Sequence, residues 1–237
     1  MNALIQKLER RARLLDEEKA FLADACQPPR KVSAGEDIIR PGDTPQASTL
    51  LIEGYTARYG TFDDGRRQLT ALHIRGDFVD LHSFLLRTMD HGITALTPCT
   101  IAQVPHTTLK VITEQWPHLA RVLWLDTLVD GAIHRQWLVS LGRRPALGRL
   151  AHLFCELSVR FSLVGLDDRC FSFPLTQSTV GDMLGLSTVH VNRVAQELRA
   201  EGVITWRGGR VQIEDWAGLT RIAEFDPMYL QLASDPV

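Results

Sequence analysis

The stretch LTQSTVGDMLGLSTVHVNRVAQEL, residues 175–198, predicts two consecutive helices. Thr176 is a suitable N-cap for a helix over 177–184, because its hydroxyl can accept a hydrogen bond from a free backbone N–H of the first turn. Ser187 can cap a second helix from Thr188 to about residue 200 in the same way. The pattern therefore predicts a pair of short helices close together in the chain.

The connection between these helices is only three residues long, 185–187, and it begins with Gly185. So short a turn makes two helices cross steeply, and Gly181 supplies the small residue that a steep crossing needs. The apolar residues at the predicted buried positions are Val180, Leu184, Leu186, Val191, Val194 and Leu198. The exposed face of the second helix then holds Thr188, Val189, His190, Asn192, Arg193, Gln196 and Arg199. This face is mostly polar, basic and free of acids until Glu197, as expected for a helix that enters a DNA groove.

The segment VITWRGGRVQI, residues 203–213, predicts a β-hairpin around Gly208 and Gly209. Its tip carries Arg207 and Arg210, where a wing would contact phosphates. Two helices with a tight turn, followed by a wing, favour a DNA-binding domain. The alternative is a helical hairpin followed by an unrelated β-hairpin.

The residues that precede this domain show first a helical pattern and then a β pattern. Apolar spacing predicts one or two short helices at the N-terminus, interrupted near Asp16. Residues 31–112 have short β-branched runs separated by turns, which indicates an all-β barrel or sandwich. Within them, 55–74 (YTARYGTFDDGRRQLTALHI) predicts a hairpin in which Asp64 and Gly65 supply positive φ angles.

Residues 116–141 again have helical spacing, and GRRPALGRL at 142–150 breaks this long helix and marks a domain boundary. The helix is either a core helix or a coiled-coil seam between two subunits. Its candidate seam residues are Val122, Leu125, Val129 and Ala132. We expect three parts: residues 1–115, the helix 116–142, and residues 143–237.

The chain of 237 residues has a net charge of -2, but its charge is unevenly distributed. Residues 143–210 contain nine arginines and six acids, which favours a basic face on the C-terminal domain. No run of residues is long and apolar enough to cross a bilayer, and the charged N-terminus does not resemble a signal peptide, so we expect a cytoplasmic protein without membrane contact.

Cys26, Cys99, Cys155 and Cys170 are widely spaced and form no CxxC pair, which argues against a zinc or iron–sulfur site. We expect them to be buried as small apolar residues.

The sequence resembles the Crp/Fnr family of bacterial transcription regulators over nearly its whole length. The resemblance rests on IIRPGD (38–43), LIEGYTARY (51–59), DDGRRQLTALHIRGDFVDL (63–81), CTIAQVP (99–105) and, most specifically, residues 175–204. It implies an α+β chain with an N-terminal jelly-roll-like β-roll for sensing, a long central dimerisation helix and a C-terminal winged helix-turn-helix domain. It further implies a homodimer, double-stranded DNA with a near-palindromic operator as the ligand, and RNA polymerase as a partner.

By this resemblance, the second helix of the motif enters the major groove, and residues of its first two turns contact bases. Those positions are Thr188, Val189 and Arg193, of which Arg193 matches the family pattern and can donate two hydrogen bonds to guanine. Thr188 and Val189 differ from the charged residues of familiar members, so we expect a different operator. The remaining candidates for contacts to bases or to the DNA backbone are Thr176, Gln177, Ser187, His190, Asn192, Arg207 and Arg210.

Cyclic-nucleotide binding in this family depends on a Gly-Glu pair after the GDF turn and on a later Arg-Ser pair. Here Asp80 and Leu81 replace the first pair, and Met89, Asp90 or His91 replaces the second. An acid beside a cyclic phosphate has the wrong charge, so we do not expect cAMP binding, although Arg87 could substitute if the loop is shifted. The candidate effector-pocket residues, for a ligand or signal still to be identified, are Asp80, Leu81, His82, Arg87 and His91.

His73, His82 and His91 are spaced nine apart, with Cys99 near them in the sequence. A haem or metal sensor, a redox sensor or a small-molecule module built from these residues is the alternative function. We favour separate loop and strand histidines, because none is three or four residues from another. The cysteine cluster of oxygen-sensing members is absent, and no spacing places a nucleophile beside a base, so no enzyme is expected.

Overall fold

The computed structural model describes residues 2–86 and 88–232. Two compact units divide the chain, and the boundary between them falls between Gly131 and Ala132, inside the long helix. The three-part division at 115 and 142 stays a prediction.

The N-terminal unit begins with two short helices, as the apolar spacing predicts: α1 (Asn2–Glu9) and α2 (Asp16–Ala25). The strands that follow among the described residues are β1 (Arg30–Val32), β2 (Asp37–Ile39), β3 (Ala47–Glu53), β4 (Thr56–Thr61), β5 (Arg67–His73), β6 (Gly92–Ala95) and β7 (Cys99–Pro105). They form two antiparallel sheets, with strand orders β1-β7-β3 and β2-β6-β4-β5. A 3-10 helix, Leu81–Phe84, lies between β5 and β6 in the chain. The β-roll expected for this region is confirmed.

Strands β4 and β5 form the hairpin that the sequence predicts, with Thr61 paired to Arg67 beside the turn. Gly65 has a φ of 81°, but Asp64 is not among the residues with positive φ. The expectation of two positive angles was therefore wrong: the loop has five residues, 62–66, closed by a bond from the Phe62 N–H to the Arg66 carbonyl.

The helix α3 (His106–Gln115) and the part of α4 (Pro117–Arg143) up to Gly131 complete the core of this unit. Val122 and Leu123 of α4 belong to one apolar cluster with Leu4 and Leu8 of α1. Close by, Lys7 Nζ lies 2.9 Å from Asp126, and Arg11 Nη1 lies 3.1 Å from the same carboxylate. Asp126, the acid that interrupts the apolar pattern of α4, is therefore a buried ion-pair partner for Lys7 of α1 and for Arg11, which follows α1.

The exposed side of α4 differs from the predicted seam. Val122 and Val129 are only 1% and 3% exposed, and Leu125 and Ala132 are half-buried. Burial within the chain itself removes Val122 and Val129 from any surface available to a second subunit. The large exposed apolar side chains of the helix are Trp124, Leu128, Leu138 and Val139.

The C-terminal unit contains the two predicted helices with the predicted bounds, α6 (Gln177–Leu184) and α7 (Thr188–Ala200). They are preceded by α5 (Ala146–Leu163) and β8 (Cys170–Ser172), and followed by β9 (Ile204–Arg207), β10 (Arg210–Ile213) and α8 (Trp216–Ala223). The predicted wing hairpin is confirmed, and β8 adds a third strand in the order β8-β10-β9. The core contains Phe154 of α5 in edge-on contact with Phe173 and Trp206.

In the parts that the structure describes, no helix combines the length and apolarity that crossing a bilayer requires. All four cysteines are free thiols, but only Cys99 and Cys155 are buried. Cys26 and Cys170 are half-exposed, so the expectation that all four are buried was wrong.

Candidate nucleic-acid interface and sensory unit

The turn between α6 and α7 is held together by backbone contacts around two glycines. Gly185 has a φ of 63°, a left-handed conformation that glycine adopts without strain, and the N–H groups of Gly185 and Leu186 both donate to the Gly181 carbonyl. A Cβ at position 181 would collide with the Leu186 carbonyl oxygen. Gly181 is therefore required by the close approach, as the sequence predicts.

Each helix of the motif begins with the expected side-chain cap. Thr176 Oγ1 accepts a hydrogen bond of 3.1 Å from the Thr179 N–H, and Ser187 Oγ accepts one of 3.2 Å from the His190 N–H. Both caps are exposed, so their hydroxyl groups are open to solvent beside the helix starts. Helix N-termini of this kind present free N–H groups that can bind phosphate oxygens.

The outward face of α7 contains the side chains predicted for it. Thr188, Val189 and Arg193 are exposed, with Val189 80% exposed, while His190 and Asn192 are half-buried. An apolar side chain as exposed as Val189 at the start of a helix is open to an apolar contact from outside the chain.

Hydrogen bonds link the polar side chains of this face to one another. Arg193 Nη2 donates to His190 Nε2 at 2.7 Å, which requires an unprotonated Nε2, and Arg193 Nε lies 3.6 Å from Glu197. Asn192 Nδ2 donates to Gln177 Oε1 at 3.1 Å, and its Oδ1 accepts from Gln196 at 2.7 Å. Gln196 was absent from the predicted site residues, although its position on the exposed face is visible in the sequence.

The wing places Arg207 and Arg210 opposite each other beside the Gly208-Gly209 turn, and both are exposed. Arg210 also donates to Cys170 Sγ at 3.3 Å, which ties the tip to the extra strand β8. The two arginines therefore lie together at one end of the three-stranded sheet.

Several arginines that make residues 143–210 basic act inside the fold instead. Arg149 caps the end of α6 by donating to the Leu184 carbonyl at 3.0 Å, and Arg160 is paired with the buried Glu156 at 3.1 Å. Arg144 donates to the Ala223 carbonyl, and Arg169 stacks over Trp216 with 4.0 Å to the ring centre. The charge excess in the sequence thus overstates the basic surface.

Glu156 is the buried acid at the centre of this unit. Besides Arg160, Trp137 Nε1 and Tyr229 Oη donate to it, at 3.2 and 2.9 Å. Burial raises the pKa of Glu156, and the cation and the two neutral donors oppose that rise. The group organises the core under the motif and does not reach the candidate interface.

In the N-terminal unit, Asp80 is fully buried and points into the protein. Its carboxylate accepts hydrogen bonds from the Thr49 N–H and from Ser83 Oγ. Burial raises the pKa of Asp80 to about 7, although these bonds and the Arg58 guanidinium oppose the rise. Asp80 was predicted as an effector-pocket residue, but a carboxylate occupied in this way has no surface to offer a ligand.

Leu81 and His82 are half-buried and line an open groove of about 530 Å³. Its walls are the 3-10 helix with the two leucines after it, α3, and the first part of α4. The lining is predominantly apolar and includes the exposed Leu85, Leu86 and Trp124. Arg87, the predicted substitute for a phosphate-binding arginine, lies outside the described residues.

His82 and His91 are close together in space, contrary to the expectation of separate histidines. Their Nε2 atoms are 3.3 Å apart, and Asp90 Oδ1 lies 2.6 Å from His91 Nδ1. Burial lowers the pKa of His82 to about 4, and it lowers that of His91 as well. The sequence offered no indication of this pair, because the two residues are nine apart.

His73 and Cys99, the other members of the predicted haem or redox group, are not part of this pair, and each makes hydrogen bonds of its own. His73 is buried on β5 beside Thr56, with 3.1 Å between Nδ1 and Oγ1, and Cys99 Sγ donates to the backbone carbonyls of Tyr55 and Thr97, which lie outside the strands. Burial raises the pKa of the Cys99, Cys26 and Cys155 thiols, to about 12 for Cys155, which makes them poor nucleophiles. This chemistry does not favour a cysteine redox sensor.

One cluster contains the residue types of a hydrolase but not their geometry. Ser83 Oγ lies 3.2 Å from His106 Nε2 and 3.2 Å from Ser48 Oγ. Asp80 bonds to Ser83 rather than orienting the imidazole, and both serines are at most 1% exposed. No substrate can reach these hydroxyl groups in this arrangement.

Two family models match the chain, one to each of the two patterns. A Crp-like helix-turn-helix domain matches residues 148–222, and a cyclic nucleotide-binding domain matches residues 29–115. Together the matches cover well over half of the chain.

The relatives that are similar in sequence are transcriptional activators. The transcriptional activator protein FnrL of Cereibacter sphaeroides is 28% identical over 216 residues, which cover 89% of this chain and 86% of FnrL. The transcriptional activator protein FnrA of Stutzerimonas stutzeri is 26% identical over an aligned region that covers 85% of this chain and 83% of FnrA. The solved structure of FixK2 from Bradyrhizobium japonicum has a TM-score of 0.75 at 22% identity, and covers 82% of this chain and 96% of FixK2. The chain therefore belongs to the Crp/Fnr family of transcription regulators, with a cyclic nucleotide-binding-type domain and a DNA-binding Crp-like helix-turn-helix domain.

Proposed function

We propose that this regulator binds a near-palindromic DNA operator as a homodimer and recognises bases with the first two turns of α7. The observation that carries this proposal is the exposed, acid-free start of α7, on which Arg193 extends beside Val189. Arg193 donates to guanine O6 and N7, and Val189 contacts a thymine methyl group. Thr188 lies beside them on the same exposed turn.

The remaining polar groups position the protein on the DNA backbone. The exposed helix starts at Thr176 and Ser187 offer N–H groups to phosphates, and the wing arginines Arg207 and Arg210 add two positive charges. Gln177 and Asn192, bonded to each other across the two helices, keep the motif rigid at this surface. His190 holds the guanidinium of Arg193 from one side and so restricts its orientation before DNA arrives.

The sensory input is an unidentified small ligand or signal at the N-terminal unit, and cAMP is not expected. The apolar groove beside Leu81 and His82 has a size typical of small-molecule sites. Trp124 lines this groove and also belongs to the outward side of α4, so a ligand there would lie next to a subunit paired along that helix. RNA polymerase is the further partner we expect, and DNA as the ligand supports a location in the cytoplasm and a regulatory rather than an enzymatic role.

Replacement of Arg193 by Ala tests the base-reading role. Selection from random DNA with the wild-type protein first defines the operator, and gel-shift titration then compares operator with scrambled DNA. Loss of a bidentate guanine contact should reduce the preference for the operator by about 1 to 3 kcal/mol, or roughly fivefold to 150-fold.

Arg199 of the same helix provides the matched control, since its replacement by Ala removes the same charge at the far end of α7. That variant should weaken binding to operator and scrambled DNA equally. An Arg193→Ala protein that keeps the wild-type preference would contradict the proposed role.

A further inference from the structure

The two imidazole rings of His82 and His91 face each other at the edge of the N-terminal unit. Their Nε2 atoms are 3.3 Å apart and their ring centres 5.1 Å apart. The role proposed above for α7 and the wing makes no use of this pair. Imidazole nitrogens converging on one point are the commonest protein ligands of transition metals.

We propose that His82 and His91 form a reversible binding site for a transition-metal cation of the Zn²⁺ class. A zinc ion lies about 2.0 to 2.1 Å from each imidazole nitrogen. With the observed separation of 3.3 Å, the nitrogen–metal–nitrogen angle would be about 107°, close to the tetrahedral value that zinc prefers. Both nitrogens can therefore bind one ion with little movement of the rings.

Asp90 supports this arrangement from the other side of His91. Its Oδ1 lies 2.6 Å from His91 Nδ1, so the proton of a neutral ring is held on Nδ1 and the Nε2 lone pair is directed toward His82. A carboxylate bonded to the remote nitrogen of an imidazole is the usual support of a metal-binding histidine, because it orients the ring and increases its basicity.

The charges around the pair are compatible with a bound cation. Arg58, Asp90 and Asp130 are the charged groups that act on both rings. The Arg58 guanidinium is paired with Asp130 at 3.3 Å and also donates to the Val79 carbonyl at 3.1 Å. The positive charge of Arg58 is thus balanced by Asp130, and Asp90 adds a further negative charge.

The site is accessible and incomplete. The His91 side chain is 15% exposed, and His82 also lines the open groove. Among residues 2–86 and 88–232, no group of three or more histidine, cysteine or acidic side chains converges on a metal position. Two protein ligands leave two tetrahedral positions for water or an external ligand, unlike a structural zinc site with four protein ligands. Occupancy should therefore follow the free metal concentration.

Zinc binding to the full-length chain tests this site independently of DNA binding. Metal-free wild-type protein and the variants His82→Gln, His91→Gln and His106→Gln are titrated with Zn²⁺ by calorimetry. His106→Gln is the matched control, since it removes an imidazole of the same unit that is not part of the pair. We expect the control to keep the wild-type site, and either variant of the pair to lose it or to bind about tenfold more weakly or worse.

A second measurement covers the case in which a variant fails to fold. Nitrogen-15 NMR of the wild-type histidine rings should show the Nε2 signals of His82 and His91 shifting together as Zn²⁺ is added. Zinc held adventitiously at Cys26 or Cys170 would bind to all variants alike. Equal binding in all four proteins, or ring signals that do not move with zinc, would overturn the proposal and leave a plain imidazole hydrogen bond.

Discussion

Asp80 is a carboxylic acid with no exposed surface. Its folded-state pKa of about 7 is above the ordinary value of 3.8, because burial disfavours the charged form more than Thr49 and Ser83 stabilise it. A raised folded pKa means that the folded protein holds a proton which the unfolded chain releases. The contribution of Asp80 to stability is then complete below about pH 4 and is lost as pH rises through 7.

Replacement of Asp80 by Asn should remove this pH dependence, because an amide is neutral at every pH and can still accept the Thr49 hydrogen bond. Between pH 5 and pH 8, the free energy of unfolding of the wild type should fall relative to that of the variant. A shift of three pKa units corresponds to a difference on the order of 4 kcal/mol between the acid and alkaline limits.

Urea unfolding at several pH values measures this difference, with the exposed Asp63→Asn as the control. The control should follow the wild-type curve. If the Asp80→Asn curve runs parallel to the wild type across this range, Asp80 does not titrate as described.

The residues of the helix-turn-helix could be assigned from sequence, whereas the histidine pair could not. Thr176, Gly185 and Ser187 act on backbone groups within five residues of themselves, so their chemistry is visible in a short window. His82 and His91 meet only because the chain turns between the 3-10 helix and β6. The spacing of these two residues in the sequence does not by itself predict that their rings come into contact.

At the scale of elements, α4 shows that an apolar helical pattern does not reveal whether a side of the helix packs within its own chain or against a second subunit. One side of the helix, with Val122 and Val129, is buried in the chain itself, while Trp124 and Leu128 are exposed. Both sides have helical spacing, so the sequence predicted the helix correctly, but two of the four residues expected at its seam, Val122 and Val129, are buried within the chain itself. Strand β8 was missed for a related reason: it has three residues, and its partner β10 lies about forty residues later in the chain.

The crossing of α6 and α7 depends on Gly181, and replacement by Ala tests that dependence. The added Cβ would meet the Leu186 carbonyl oxygen, which belongs to the backbone of the turn and cannot move aside without opening it. We expect a loss of stability of about 1 to 3 kcal/mol, the usual cost of overpacking, together with weaker operator binding.

Gly142→Ala is the control, because Gly142 is also helical and nothing lies within 4 Å of a Cβ built there. That change should stabilise the protein slightly, since Ala favours helix over Gly by up to about 1 kcal/mol. Thermal and urea unfolding compare the two variants. Equal stability of both would mean that the turn tolerates a wider crossing than its backbone contacts indicate.

For the molecule as a whole, the exposed side of α4 is the surface on which a second copy would pair. Trp124, Leu128 and Leu138 recur with heptad spacing, and Gly131 and Arg135 occupy the intervening positions of the same stripe. Monomeric proteins in water rarely expose such a row of large apolar side chains. The homodimer proposed here therefore pairs along this stripe rather than along Val122 and Val129.

The double variant Trp124→Glu and Leu128→Glu tests the seam, because it would place two carboxylates without partners in each half of the dimer interface. Light scattering should give twice the chain mass of 26.6 kDa for the wild type and the single mass for the variant, with dimerisation weakened at least about a hundredfold. Both positions are exposed, so circular dichroism should show an intact fold.

Leu166→Glu, which changes an exposed leucine of the C-terminal unit, is the control and should remain dimeric with wild-type operator affinity. Because each monomer binds only one half-site, the variant should also lose most of its affinity for the palindrome while keeping its Arg193-dependent preference for a half-site. A double variant that stays dimeric would place the subunit contact elsewhere on the chain.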